Sequence, residues 1–228
     1  MIDLQKITFS YPDGRPLLNE LSLHFLPGRF YGVFGPNGCG KSTLFKIISG
    51  ELSPKNGTVS PRWRDARSRA QQLTLVEQEV PRRIPLTVRE TAALGQYAWR
   101  RGGADPAAVD AALQRLALTE FAGKPYSRLS GGEKQRVMLG RALVQNTPIL
   151  LLDEPASSLD PGFRKTFYRI LQEEAQSGKC VVMISHDLYT APQYLDEVLL
   201  LAEGALVKQG APEEVLTPDL LNRVFRTF

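Results

Sequence analysis

The sequence is poor in cysteine, with only Cys39 and Cys180 among 228 residues. Cys180 opens the apolar run CVVMIS, which predicts a buried strand, so a disulfide framework is not expected and a reducing compartment fits. No apolar stretch approaches the roughly 20 residues that a membrane-spanning helix needs. The N-terminus MIDLQKITFS also lacks the basic and apolar regions of a signal peptide. We therefore expect any role at a membrane to come through a partner.

The charge balance is unremarkable, with 23% charged and 43% hydrophobic residues and a net charge of +4, which argues against disorder. A small basic excess usually marks a solvated surface. The denser cluster RWRDARSR (Arg62–Arg69), followed by Arg82 and Arg83, could favour phosphate, an anionic membrane surface or nucleic acid. Because it lacks the interleaved aromatic residues of a single-strand binder, no nucleic-acid partner is expected.

The N-terminal third alternates short strands with turns. IDLQKITF has the alternation of an edge strand, and LSLHFLPG, which includes His24, predicts a second strand ending at a Pro-Gly turn. Asn56-Gly57 in SPKNGTVS predicts a tight hairpin. RFYGVFG predicts a buried strand and KSTLFKIISG a helix closed by Gly50. QLTLV predicts a further short strand.

Helical periodicity without strand signals begins at Thr87 and continues to about Tyr126. TVRETAALGQYAWR and DPAAVDAALQRLAL are separated by RGGAD, in which Asp105 and Pro106 form an N-cap and first-turn pair. Strands then alternate with helices at PILLLD, CVVMIS and EVLLL, which predicts parallel pairing, and the tail PEEVLTPDLLNRVF is predicted to be helical.

These patterns predict a single α/β domain over residues 1–228 with a mostly parallel sheet and an N-terminal antiparallel β subdomain. The α/β core is predicted to comprise residues 1–86 and 146–228. An inserted helical subdomain is predicted over residues 87–145.

The stretch GPNGCGKST satisfies the pattern G-x-x-x-x-G-K-[ST], with a strand before it and a helix after it, as in a P-loop NTPase. The glycines let successive N–H groups point at phosphate oxygens, Lys41 reaches the terminal phosphates, and Ser42 can ligate Mg²⁺. Cys39 is interpreted as a small filler. The candidate nucleotide-binding residues of this loop are Gly35, Asn37, Gly38, Cys39, Gly40, Lys41, Ser42 and Thr43. The loop alone predicts a nucleoside triphosphate, because kinases, GTPases and ATPases share it.

A second cluster follows the apolar strand of PILLLDEP, which ends in Asp153 and Glu154. A carboxylate after four apolar residues is costly unless a cation lies beside it, so Asp153 is a candidate partner of Mg²⁺. Glu154 is offset by one residue and can point towards a water. This is the geometry of a general base, which is typically worth about 10²–10⁴-fold in rate.

Two more polar residues end predicted strands of the same sheet. His186 follows VMIS, and Gln78 follows QLTLV. Because the carboxyl ends of parallel strands meet at one edge, we expect His186 near the γ-phosphate as a hydrogen-bond donor. Gln78 is expected to orient water or contact Mg²⁺ at that edge.

The stretch LSGGEKQR begins a second helix suited to an anion. Ser130 and Glu133 form the S-x-x-E pattern of a capping box, which by itself indicates only a well-capped helix. Gly131 and Gly132, however, each cost about 1 kcal/mol relative to alanine, so we interpret them as letting exposed N–H groups approach a phosphate. Since the phosphate loop already surrounds one side of the nucleotide, the hypothesis is a head-to-tail dimer in which each helix start covers the nucleotide of the other copy.

Taken in order, GPNGCGKST, LSGGEKQR, LLLDEP, SSLD and SHD resemble the ATP-binding subunit of an ABC transporter over nearly the whole chain. The resemblance implies ATP and Mg²⁺ as ligands and Tyr11 stacked on adenine. It also implies that Asp160 belongs to a loop through which the two subunits communicate. Gln78 would lie where the ATPase meets integral membrane permease subunits, which places the chain in the cytoplasm on the inner face of the membrane.

Within that family, LTVRETAALGQY, VQNTPILLLDEP and GAPEEVLTPDLLNRVF are similar to ATPases of importers for iron-siderophores, haem or cobalamin. Such importers depend indirectly on an extracytoplasmic substrate-binding protein. The segment ASSLD departs from that subgroup, which often has a histidine before its Leu-Asp, and GQYAWRRG matches it only loosely. The alternatives are an ATPase of an exporter, a soluble ABC ATPase acting on DNA or ribosomes, and a small-molecule kinase, which would leave LSGGE and Glu154 unexplained.

Overall fold

The computed structural model describes residues 1–12, 14, 16–79, 81–99 and 105–225. Its strands are β1 (Ile2–Ser10), β2 (Pro16–Phe25), β3 (Arg29–Phe34), β4 (Asn56–Ser60), β5 (Leu73–Val76), β6 (Ile149–Asp153), β7 (Cys180–Ile184), β8 (Glu197–Ala202) and β9 (Ala205–Gly210). Its α-helices are α1 (Lys41–Ile48), α2 (Ala66–Gln72), α3 (Val88–Ala93), α4 (Pro106–Arg115), α5 (Gly131–Gln145), α6 (Pro161–Gln176), α7 (Pro212–Val215) and α8 (Pro218–Phe225). Short 3₁₀ helices lie at Leu94–Trp99, Thr119–Phe121, Tyr126–Arg128 and Ala191–Tyr194.

The N-terminal sheet is antiparallel, as predicted, and has the order β2-β1-β4. Two details of the prediction were wrong. β1 is the central strand, because β4 returns from beyond α1 to pair with its free side. Asn56 and Gly57 are the first residues of β4 and not a hairpin turn, since Asn56 pairs with Thr8 of β1. The alternation within β1 could not show whether the strand is central or at an edge. Its second partner, β4, lies about 50 residues away in the sequence.

The larger sheet has the order β5-β6-β7-β3-β8-β9. The first five strands are parallel, as the alternation of strands and helices predicted, and β9 pairs with β8 antiparallel. The sequence interpretation missed β9, whose residues are intermediate or exposed without alternation along the strand. Its signal was the dipeptide Glu203-Gly204, where both residues have positive φ (49° and 76°) in a tight turn between paired strands.

Both faces of the six-stranded sheet are covered. Along β6, Leu150 and Leu152 pack with the helices α4, α5 and α6, whereas Ile149 and Leu151 pack with α1 and the N-terminal sheet. This alternation explains the uninterrupted apolar run of the strand, since each face of a doubly covered sheet needs apolar side chains. The charged residues at the end of β6 are therefore held by a strand buried on both sides.

Helices occupy the chain between β5 and β6, as the periodicity predicted. Thr87 caps α3 in a capping box with Glu90, and Asp105 caps α4 through the Ala107 N–H. TVRETAALGQYAWR divides into α3 and a 3₁₀ helix, and most of the predicted RGGAD linker lies outside the described residues. Gly95 lies where the 3₁₀ helix at Leu94–Trp99 packs against α5. A β-carbon added at Gly95 would lie only 2.8 Å from Gln145 N.

The basic segment RWRDARSR contains an element that the sequence interpretation missed. Asp65 and Ser68 form a capping box that begins α2, and Trp63 packs over Gly50 while donating its indole N–H to Ile48 O (2.9 Å). Arg62, Arg64 and Arg67 are exposed. The cluster thus leads into a short capped helix, with these three arginines in solvent and Arg69 paired with Glu51 (3.6 Å).

A buried carboxylate ties the helical region to the sheet. Glu174 of α6 accepts from Arg115 at the end of α4 (2.5 Å) and from Lys179 before β7 (2.5 Å). Burial by itself raises the pKa of Glu174, but the hydrogen bonds from Lys179 and Arg115 outweigh it and hold this pKa below its ordinary value. The charged form is therefore the one that the folded state stabilises.

We expect Glu174→Gln to lower the free energy of unfolding at neutral pH by about 1.5–3 kcal/mol, the range for hydrogen bonds to charged groups. Because the folded-state pKa is depressed, the stabilisation is present above the unfolded pKa and is lost as the pH falls through the folded pKa. Urea unfolding from pH 7 to pH 3 should show the gap from the parent closing in acid. Glu120→Gln, at an exposed site, is the control, and a gap independent of pH would contradict the assignment.

Candidate functional site

The phosphate loop joins the end of β3 to the start of α1. Gly40, the N-cap of α1, has φ 104° and supplies no side-chain cap, so the first N–H groups of the helix remain open to an anion. A β-carbon at Gly40 would also lie 2.6 Å from Leu18 Cδ2. The left-handed backbone and this contact both require glycine, as the motif predicted.

Lys41 is only 6% exposed, and its Nζ donates to Gly35 O (2.8 Å) and Pro36 O (2.9 Å). Carbonyl oxygens hydrogen-bond the ammonium without neutralising its charge, so the loop keeps a net positive centre that suits a phosphate. Cys39 is buried, and desolvation raises its pKa, which fits a filler and not a reactive thiol.

Asp153, the last residue of β6, lies beside Ser42. Burial raises the pKa of the Asp153 carboxyl, and a hydrogen bond from Ser42 opposes this rise. Asp153 Oδ1 is buried without any hydrogen-bond partner. An orphaned carboxylate oxygen next to a hydroxyl suits a divalent cation that prefers oxygen ligands, so the residues fit Mg²⁺. The described part of the chain has no cluster of three or more His, Cys, Asp or Glu residues that could hold a metal by itself.

Glu154 is clamped between two residues that the sequence placed at the same edge. Gln78 Nε2 donates to Glu154 Oε2 (3.0 Å), and His186 Nε2 lies 2.9 Å from Glu154 Oε1. Glu154 itself has φ 46°, a conformation that costs a side-chain-bearing residue energy and often occurs at functional sites. The structure therefore brings the three predicted catalytic residues into direct contact.

Tyr11 lies at the other end of the same open pocket. Its hydroxyl is 3.2 Å from Thr43 Oγ1, and its ring makes an edge contact with Phe9 at 5.0 Å. The pocket is lined by Tyr11, Leu17, Asn37, Gly38, Gly40, Lys41, Ser42, Thr43, Gln78, Glu154 and His186. Leu17 was not predicted, because an apolar residue at a strand start carries no chemical signal.

The helix start of LSGGEKQR does not line this pocket. Its capping box is formed as predicted: Ser130 Oγ accepts from Glu133 N (3.3 Å), and Glu133 Oε2 accepts from Ser130 N (2.6 Å). That backbone hydrogen bond lowers the pKa of Glu133. The tip therefore lies apart from the residues that line the nucleotide pocket of its own chain.

The two glycines at this tip differ in their surroundings. A β-carbon at Gly132 would lie 2.9 Å from the Ser158 carbonyl oxygen, whereas at Gly131 it would be 4.0 Å from Ser158 Cβ. Gly132 therefore has a structural reason as well, because it lies against the backbone of its own chain. Asp160, two residues beyond Ser158, caps α6 by accepting from Phe163 N (2.8 Å).

Comparison with known proteins decides the family. A family model described as ABC transporter matches residues 18–157. The chain belongs to the ABC transporter family. Hemin import ATP-binding protein HmuV of Rhodococcus jostii (strain RHA1) is 36% identical over 220 residues, which cover 93% of this chain and 75% of the relative. Cobalamin import ATP-binding protein BtuD of Halobacterium salinarum (strain ATCC 29341 / DSM 671 / R1) is 37% identical over 221 residues, covering 93% and 56%.

Solved structures agree with this placement. The dimeric structure of MJ0796, a bacterial ABC transporter cassette, is similar with a TM-score of 0.83 and 28% identity, covering 93% of this chain and 99% of that one. The protein is therefore an ABC cassette that binds and hydrolyses ATP, which confirms the predicted fold class and enzyme class. Among the described residues, no helix of this ABC ATPase has the length and apolar character to cross a membrane.

The two tip glycines of the ABC ATPase give a matched pair of substitutions. Gly131→Ala should raise the free energy of unfolding by up to about 1 kcal/mol, because alanine is the better helix former and the space is open. Gly132→Ala should be about 1–3 kcal/mol less stable than Gly131→Ala, because its β-carbon overpacks against the Ser158 carbonyl. Urea unfolding of both variants measures the difference. Equal stabilities would show that Ser158 moves away without cost.

Proposed function

We propose that this chain is the ATP-hydrolysing subunit of an ABC importer for a metal compound such as haem, cobalamin or an iron-siderophore. The curated relatives named above are import proteins for hemin and cobalamin, and both alignments cover 93% of this chain. The observation that carries the catalytic part is the contact of Gln78 and His186 with Glu154 in the pocket of the phosphate loop.

For ATP binding, the proposed contacts are the α1 N–H groups and Lys41 with the phosphates and Tyr11 with adenine. Asn37, Gly38 and the hydroxyl of Thr43 lie along the same pocket. Ser42 and Asp153 would hold Mg²⁺, with Gln78 beside them, as the unpartnered Asp153 Oδ1 supports. The ion's charge would offset the negative charge of the phosphates.

Glu154 is proposed as the general base that takes a proton from the attacking water. A base must be fixed within hydrogen-bonding distance of the water, and Gln78 and His186 fix both of its carboxylate oxygens from opposite sides. His186 is proposed to hold the carboxylate and to donate to the γ-phosphate, and Gln78 to orient the water.

A complete site is proposed to need a second copy of the chain, arranged head to tail. Within one copy, Ser130, Gly131 and Gly132 do not line the nucleotide pocket. The backbone N–H groups of Gly131 and Gly132 in the first turn, with the positive end of α5, suit the γ-phosphate held by the other copy. The communication loop with Asp160 lies directly beside this tip, because Gly132 packs on Ser158.

The membrane partner is proposed to be a permease that docks beside Gln78. Between α2, the 3₁₀ helix at Leu94–Trp99 and α5, the surface exposes three large apolar side chains: Leu94, Tyr97 and Trp99. Arg67 and Arg141 border it, so a permease loop with apolar and acidic residues would fit. This docking would keep the subunit in the cytoplasm on the inner membrane face, with an extracytoplasmic substrate-binding protein acting indirectly.

Glu154→Gln tests the base. We expect kcat for ATP hydrolysis to fall by at least about 10²-fold, because the amide cannot accept the proton. ATP binding should remain, and size-exclusion chromatography with ATP should show a dimer that does not dissociate. Glu213→Gln, at an exposed glutamate of α7, is the control. Hydrolysis by Glu154→Gln at the parental rate would remove Glu154 from this role.

Mixed dimers test the shared site. Ser130→Arg in one copy and Lys41→Ala in the other leave one composite site intact, so we expect a substantial fraction of the parental hydrolysis rate. The same two substitutions placed together in one copy, paired with an unmodified chain, damage both sites and should abolish hydrolysis. Tagged mixed dimers purified in both arrangements allow the comparison. Equal rates in the two arrangements would contradict the head-to-tail model.

A further inference from the structure

His186 stands in a three-residue segment that leaves β7 at the pocket. Its ring lies 2.9 Å from Glu154 Oε1, but its neighbours Ser185 and Asp187 point the other way, towards α6. Ser185 Oγ accepts from Asp187 N (3.0 Å), so the segment is folded tightly around the histidine. Whatever holds Ser185 and Asp187 therefore determines where the His186 ring can lie.

Tyr168 of α6 holds both neighbours. Its side chain is completely buried, and its hydroxyl donates to Asp187 Oδ2 (3.1 Å). The Ser185 side chain lies beside Tyr168 in the same small cavity, and its interaction with the hydroxyl opposes the rise in the Tyr168 pKa that burial causes. The ring is fixed from the side by Phe167 at 6.0 Å and Tyr194 at 5.6 Å between centroids. A rigid helix thus contacts the segment on both sides of the histidine through one oxygen atom.

Asp187 has one carboxylate oxygen available for the hydrogen bond from Tyr168. Its Oδ1 accepts from Thr190 N (2.7 Å) and Tyr189 N (3.1 Å), which leaves Oδ2 for Tyr168. Burial alone would raise the pKa of Asp187, but the hydrogen bonds from Thr190, Tyr189 and Tyr168 lower it below its ordinary value. The carboxylate is therefore charged at neutral pH, and a hydroxyl bond to a charged acceptor is a strong one.

We propose that Tyr168 is a positioning residue for ATP hydrolysis, whose hydroxyl fixes the Ser185–Asp187 segment so that His186 contacts Glu154. This inference rests on the proposed role of His186. Tyr168 does not line the nucleotide pocket and acts only through the histidine. A displacement of about 1 Å at a reacting group can cost on the order of 10²-fold in rate, so loss of one anchor is enough to be measured.

Tyr168→Phe removes the hydroxyl and keeps the buried ring, so the packing against Phe167 and Tyr194 remains. We expect kcat for ATP hydrolysis to fall about tenfold, within the range for a misplaced catalytic group, while KM for ATP changes less than about twofold. The matched control is Tyr194→Phe, which removes the hydroxyl of the ring beside Tyr168 and should leave kcat unchanged. Rates are normalised to the fraction of chains that bind ATP, so partial unfolding does not imitate the effect.

The decisive measurement is a double-mutant cycle with His186→Ala. If Tyr168 acts through His186, adding Tyr168→Phe to His186→Ala should cause no further loss of kcat. A tenfold loss in both backgrounds, or an unchanged kcat in Tyr168→Phe alone, would overturn the inference. Full activity of His186→Ala would instead contradict the proposed role of the histidine, so the two failures are distinguishable.

A second variant covers the case in which Tyr168→Phe does not fold. Asp187→Glu keeps the charge but places the carboxylate one methylene further from the backbone, which removes it from its present position against the Tyr168 hydroxyl without altering α6. We expect the same pattern: a lower kcat, an unchanged KM, and no further loss in the His186→Ala background. An unchanged kcat for Asp187→Glu would also overturn the inference.

Discussion

The register of three parallel strands is the constraint on which the site depends. Val33 of β3 and Asp153 of β6 both pair with Ile184 of β7, so the three strands end at the same level. Two backbone bonds continue beyond that level, from Glu154 N to Ile184 O (3.1 Å) and from Ser185 N to Val33 O (3.3 Å). The proposed catalytic side chains that follow these strands are therefore placed by strand pairing, and a shift of one residue would turn each of them to the opposite face.

The same edge concentrates charge in a poorly solvated place. Lys41 rests on carbonyl oxygens, and the Asp153 carboxyl has a raised pKa with one oxygen unpartnered. Such an arrangement is costly for a protein interior unless its ligand carries the complementary charges. A nucleoside triphosphate would supply the negative charge beside Lys41, and a divalent cation would supply the positive charge beside Asp153. The pocket thus suits a nucleotide, and the proposed Mg²⁺ would pair with the carboxylate oxygen that the strands leave without a partner.

Helix α6 links the two parts of the chain that are proposed to act on different nucleotides. At its N-terminus, Asp160 caps the helix in the segment that contacts Gly132 at the tip of α5. One turn later, Arg164 donates to Leu159 O (3.2 Å) and lies 3.9 Å from Asp187. One turn further, Tyr168 bonds Asp187 beside His186. A single rigid helix therefore connects the surface proposed for the other copy with the histidine of its own pocket.

The sequence by itself determined the local chemistry: the loop at Gly35–Thr43, the carboxylates after β6, and the caps at Asp105 and Ser130. These depend on residue type and short spacing, which local sterics and hydrogen bonding dictate. Only the tertiary structure decided the central position of β1, the addition of β9, the contact between Gly132 and Ser158, and the bond from Tyr168 to the His186 segment. Each of these joins residues that are distant in sequence, and no short pattern encodes which distant backbone or hydroxyl will fill a given position.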